Sequence, residues 1–175
     1  MVTEKVRKKE PKSKIESPNG SSLTREIGFF FLKFIVASFL LYLLFELFGV
    51  GRAYAKLVGY IAKPFLAIFH YTLIMEKVIA ITEDISLNPI VFVSLVIATA
   101  GLNWKEKLKA LALGLVILTA ANALTLFMIF LSYFKRSETL WAQSEFLNLT
   151  INFFFPILLW FALIPSNLRR VFKRN

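Results

Sequence analysis

Between Lys109 and Lys135 lie 25 residues without a charge, ALALGLVILTAANALTLFMIFLSYF. As a helix rising ~1.5 Å per residue, the run outreaches the ~30 Å hydrocarbon core of a bilayer, so a spanning helix is expected. Its middle residue is Asn122, an amide that lipid cannot hydrogen-bond. Thr119, Asn122 and Thr125 recur every third position and share roughly one helical face. Ala110 with Gly114, and Thr119 with Ala123, give small-xxx-small spacings that admit a neighbouring helix closely. A spanning helix with a polar seam needs partners for that seam. The remaining apolar segments are read as those partners.

Composition agrees with this reading. The chain of 175 residues is 57% hydrophobic, against ~45–50% in soluble domains. A net charge of +10 raises the question of nucleic acid, and the positions of the charges answer it. Seven Lys/Arg precede residue 26, three lie in 105–109 and four in the last seven residues. That is the positive-inside pattern of spanning helices. The expectation is a multi-pass protein of the cell membrane with both termini cytoplasmic, partnered by the lipid bilayer and not by nucleic acid. With no cysteine and the single histidine His70, no metal site and no cofactor are expected.

In chain order, residues 1–22 read as a disordered basic cytoplasmic tail. The transmembrane domain covers 23–165, and 166–175 form a second basic tail. The first span is expected over Ile27–Val50, started by Ser22 or Thr24 and ended by Gly49 and Gly51. Within it Lys33 can snorkel to headgroups, and Glu46 is an intramembrane charge that serves a site, reaches the outer interface or pairs with Arg52. Arg52, Lys56, Tyr60 and Lys63 fall at i, i+4, i+8 and i+11, away from most of Ala53, Leu57, Val58 and Ile61. This pattern suits an amphipathic helix on the membrane surface. Pro64 interrupts it, and the apolar run of eleven that follows is too short to cross. Were 57–75 to cross with a kink, five spans would place the two basic tails on opposite sides, so four are preferred. His70 reads as interfacial, and Glu76, Lys77, Glu83 and Asp84 as an exposed outer segment.

The second span begins at Leu87-Asn88-Pro89, with Asn88 as cap and Pro89 at the first helical position. Only 13 apolar residues, Ile90 to Leu102, follow, so this helix is short of a full crossing. GLNWKEKLK turns into the long helix. After Phe134, KRSETLWAQSE reads as a polar outer loop with Trp141 at the interface. The last span is Phe146–Ile164, with Ser144, Asn148 and Asn152 four apart on one face and Pro156 kinking it. The fold class expected is all-α: an integral membrane bundle of about four helices with an interfacial amphipathic segment. Thr119, Asn122, Thr125, Ser144, Asn148, Asn152 and Asn88 are expected to bound a small outward-facing polar pocket. Asn148-Leu-Thr150 matches a glycosylation sequon but stands at the mouth of a span, and is discounted.

This order of a Phe/Leu-rich span, a surface segment, a short helix, a basic turn, LALGLVILTAANALTLF and a last span ending FFFPILLWFALI resembles the exosortase/archaeosortase family of membrane transpeptidases, across about residues 27–165. AANAL, residues 120–124, is similar to the family's N-x-L-R stretch. The resemblance implies a cysteine transpeptidase. The family's nucleophile, however, would fall at Leu87-Asn88, its arginine at Thr125 and its histidine at Gln143-Ser144. Only Asn122 carries over. The expectation is a non-catalytic relative that binds a partner or substrate tail of another membrane or exported protein. The alternative is a small accessory subunit of a transporter or envelope-assembly complex.

Overall fold

The computed structural model describes residues 20–82 and 87–163, with side chains from residue 24. Residues 1–19 of the expected tail 1–22, all of the expected tail 166–175, the last two residues of the expected transmembrane domain, and the charges Glu83 and Asp84 lie outside the described residues. Helices run α1 Gly20–Leu47, α2 Val50–Ile68, α3 Met75–Thr82, α4 Asn88–Ala98, α5 Trp104–Lys135, α6 Glu138–Leu149 and α7 Phe155–Leu163. A π-turn, Thr150–Phe154, joins α6 to α7. The described chain is an all-helical bundle, as the apolar pattern implies.

Among the described residues, three helical paths are long and apolar enough to cross a membrane: residues 24–47 of α1, the whole of α5, and the continuous path Glu138–Leu163. The chain is therefore a membrane protein. The fourth expected crossing, α4, has eleven residues, ~16 Å of helix, in keeping with its short apolar run.

The long helix is central. Asn103 starts it with a capping box: its side chain accepts from the Glu106 N–H at 2.8 Å, and the Glu106 carboxylate accepts from the Asn103 N–H at 3.0 Å. Lys107 donates to the Ile97 carbonyl at 3.0 Å and so ties the end of α4 to the start of α5. Helices α2, α4, α6 and α7 pack round α5, while α1 rests mainly on α4. One core joins Val58, Ala62 and Leu66 of α2 and Val78 of α3 to Leu126 and Phe130 of α5. A second joins Phe92 and Leu95 of α4 to Leu118 of α5 and Leu159 and Trp160 of α7. Lipid is as apolar as these side chains, so close fit and hydrogen bonds hold such helices together. Gly114 shows the fit: a Cβ there would lie 2.1 Å from an atom of the Phe92 ring.

Four local expectations change. Helix α1 begins at Gly20, so residues 20–22 are helical and neither Ser22 nor Thr24 starts it. Pro64 does not end α2, which continues to Ile68. The carbonyl that loses its donor belongs to Tyr60, on the exposed side, while Ala55, Val58, Ala62 and Leu66 pack inward and hold the helix through the proline. The expected apolar, membrane-facing set is split, since Val58 is buried in the bundle while Ala53, Leu57 and Ile61 are exposed. Residues 135–145 form a loop only at Arg136 and Ser137; Glu138 onward is helix. Arg136 takes a left-handed conformation (φ 48°) and Ser137 accepts from the Leu140 N–H. Glu, Leu, Ala and Gln are good helix formers, and the stretch has no Gly or Pro to stop them.

His70 is likewise a backbone device. It adopts φ 61° just after α2, and the N–H groups of His70 and Tyr71 close back on the carbonyls of Ala67 and Leu66. This is the double bond of a Schellman stop, with histidine in the place glycine usually takes.

Candidate functional site

At the start of α4 the chain buries an amide. The helix begins at Asn88, preceded by Leu87 as N-cap, and the Asn88 side chain makes no capping bond. It turns instead to Asn122 at the middle of α5. Asn88 Nδ2 donates to Asn122 Oδ1 at 2.7 Å, and Asn122 Nδ2 returns a bond to Asn88 Oδ1 at 3.0 Å. Two amides paired in this way satisfy each other's inner atoms, which outweighs one cap bond at a buried position. The second N–H of Asn122 reaches the Tyr54 hydroxyl on α2 at 2.7 Å, beside Thr119. The second N–H of Asn88 reaches the Ile151 carbonyl in the π-turn at 3.5 Å.

That last contact follows from the sequence. The Phe155 N–H donates five residues back, to the Thr150 carbonyl, and Pro156 has no N–H. The Ile151 carbonyl thus receives neither neighbour's backbone donor, and the Asn88 amide takes their place. Next to Pro156, where a kink was expected, the helix path takes this π-turn.

Asn88, Asn122, Thr125 and Ser144 are fully buried. The hydroxyls of Thr119, Thr125 and Ser144 fold back onto carbonyls of their own helices, those of Leu115, Ala121 and Trp141. The Asn148/Asn152 pair is internal to one helix path, with Asn152 Nδ2 donating to Asn148 Oδ1 at 2.7 Å. The single polar pocket read from the sequence is therefore two features. Asn88 and Asn122 meet in a sealed cluster with Tyr54, and the side chains of Ser144, Asn148 and Asn152 bond elsewhere. Asn152 Oδ1 is buried without a hydrogen-bond partner. Glu46 is exposed near the end of α1.

The second feature is a half-open cleft of about 540 Å³ beside the C-terminal half of α5. Lys77, Ala80 and Ile81 of α3, Ile129, Phe130 and Tyr133 of α5, and Trp141, Glu145 and Asn148 of α6 line it. The Lys77 ammonium stands 5.7 Å from the centre of the Tyr133 ring, within cation–π range. Of the seven expected pocket residues, only Asn148 lies on its wall. The sequence reading missed the cleft because Lys77, Trp141 and Glu145 were placed in exposed outer segments. Tyr54 was missed because Arg52 and Lys56 beside it suggest a surface helix. The available signal was its i, i+4 relation to Val58, on the inward stripe. Trp160 was missed too: its indole N–H donates to the Thr99 hydroxyl at 2.8 Å and ties α7 to the end of α4.

Among the described residues, no three His, Asp or Glu side chains converge as a metal site would require. Comparison with known proteins found no family model, no curated protein and no solved structure that matches the chain.

Proposed function

We propose that this is a non-catalytic, exosortase/archaeosortase-like membrane protein that holds a tail segment of another membrane or exported protein in the cleft between α3, α5 and α6. The observation that carries this reading is the division of the polar residues. The amide cluster is sealed and bonded to itself, whereas the cleft is open and presents a cation, a carboxylate, an amide and three aromatic rings. A segment with an apolar body and a few polar groups suits such walls. Support for the family likeness comes from the start of α4. There the resemblance places the family's nucleophile, and Asn88 touches Asn122, the one family residue that carries over. With an amide in place of a thiol, that point offers no nucleophile for acyl transfer.

The orientation belongs to the same proposal. Lys105, Lys107 and Lys109 stand at one end of α5 and the cleft at the other. By the positive-inside tendency the lysine end faces the cytoplasm, with both termini, and the cleft opens outward.

A photoreactive phenylalanine analogue at Trp141, in the cell membrane of origin, tests the binding role. A discrete protein adduct at 141, absent when the analogue replaces the exposed Val116, is the expected outcome. Adducts to lipid alone at both positions would remove the reading. One observation favours the accessory-subunit alternative: the apolar window of α1 buries none of its residues within the chain. Co-migration of the whole protein with a larger complex in mild detergent, lost on changing α1 and not the cleft, would favour that alternative.

A further inference from the structure

The π-turn leaves one carbonyl to a side-chain donor where a regular helix would give it a backbone donor. In the observed register Phe155 N–H goes to the Thr150 carbonyl and Asn88 Nδ2 to the Ile151 carbonyl. In a regular α-helical register Phe155 N–H would go four residues back, to the Ile151 carbonyl itself. In the observed register the Ile151 carbonyl depends on Asn88 for its donor, whereas in the α-helical register Phe155 supplies one without it. The bond that holds the observed register is long, at 3.5 Å.

We propose that the π-turn is a register switch that sets the shape of the cleft, with Asn88 as its latch. This rests on the cleft being the binding surface. Moving the extra residue out of the turn rotates α6 by ~100° relative to α7, one residue's worth of helix. Trp141, Glu145 and Asn148 line the cleft from α6, so the rotation carries all three away from Lys77. The connection between latch and cleft is continuous. Asn148 on the cleft wall accepts from Asn152 inside the turn, Ile151 beside it accepts from Asn88, and Asn88 is paired with Asn122. Asn152 Oδ1, buried and without a partner, is the one member of this line not satisfied in the observed register. An occupant that grips Asn148 thus biases the register, and the Asn88–Asn122 pair biases the occupant in return.

The test uses a chain that has no native cysteine. Lys77→Cys and Glu145→Cys place thiols on facing walls of the cleft, and a short bifunctional thiol reagent reports their approach in membranes. The pair should crosslink in the otherwise native protein, and adding Asn88→Ala should lower the yield at least several-fold. A simple loosening of the core by Asn88→Ala would give the same loss. A second variant separates the two: deleting Thr150 removes the extra residue, which leaves a regular helix with α6 and α7 in their observed relation. In the Thr150-deleted chain, Asn88→Ala should leave crosslinking intact. An unchanged yield in the first case, or a loss in both, overturns the switch. Neither result touches the photocrosslink at Trp141, so the binding role and the switch fail separately.

Discussion

Asn122 uses both N–H bonds and its carbonyl on side chains of two other helices, all without exposure. One interhelical hydrogen bond in a membrane averages only ~0.6 kcal/mol, which would make Asn122→Leu nearly silent. The geometry argues for more, since the leucine would leave the inner atoms of Asn88 without partners in a dry interior and take one of two partners from the Tyr54 hydroxyl. Stranding buried polar groups costs about 1–3 kcal/mol, so Asn122→Leu should visibly lower the midpoint of thermal unfolding in detergent. Replacing both amides removes the stranded partner, so Asn88→Leu with Asn122→Leu should cost less than the sum of the two single changes. Additive costs would mean that the two amides do not act as a pair. Asn122 was legible as a seam because it stands at the centre of an apolar run, where few roles suit an amide. Of its partners, Asn88 was among the residues expected to share its pocket, and Tyr54 was not. The face Ser144, Asn148, Asn152 offered an equally good polar match by spacing, and only packing selects Asn88 and Tyr54 over it.

At the scale of the helix, the same contrast holds between what periodicity encodes and what neighbours decide. The small residues Ala110 and Gly114 announced a close approach, and Phe92 of α4 fills that place. Gly114→Ala puts a methyl group inside the ring position, and overpacking of this kind costs about 1–3 kcal/mol. A smaller side chain at Phe92 should recover part of the loss, and a thermal shift series of the single and double variants measures it. The cap at the other end of the α4–α5 turn is a local structure that the sequence reading did not single out. Asn103→Ala should cost about 1 kcal/mol through loss of the capping box, with little change where Glu106→Gln keeps an acceptor. The α6 boundary was illegible for the opposite reason. A stretch of charged helix formers reads as a loop by polarity and as a helix by propensity, and a left-handed Arg136 followed by Ser137 selects the helix. Pro64 misled in the same way. An internal proline costs ~3 kcal/mol in isolation, and the inward stripe of α2 against α5 outweighs it.

The whole molecule is a bundle built on α5, with unlike ends. One end of α5 carries Lys105, Lys107 and Lys109; the other leads through the Arg136–Ser137 turn into the cleft wall. Thirty-two residues separate these ends by ~48 Å, more than the hydrocarbon thickness, so both reach water. The exposed Phe31, Ile35, Phe39 and Leu43 of α1 suit lipid contact, which leaves charge as the main determinant of which end faces which side. Because the chain lacks cysteine, single thiols at Lys105→Cys and Arg136→Cys can be compared against no background. Both positions are exposed in the fold, so access is limited by the membrane alone. An impermeant maleimide should label position 136 in intact cells and position 105 only after permeabilisation. Labelling of 105 in intact cells would invert the bundle and turn the cleft toward the cytoplasm. An exported segment would then have no route to it, and the binding role proposed here would fall with the topology.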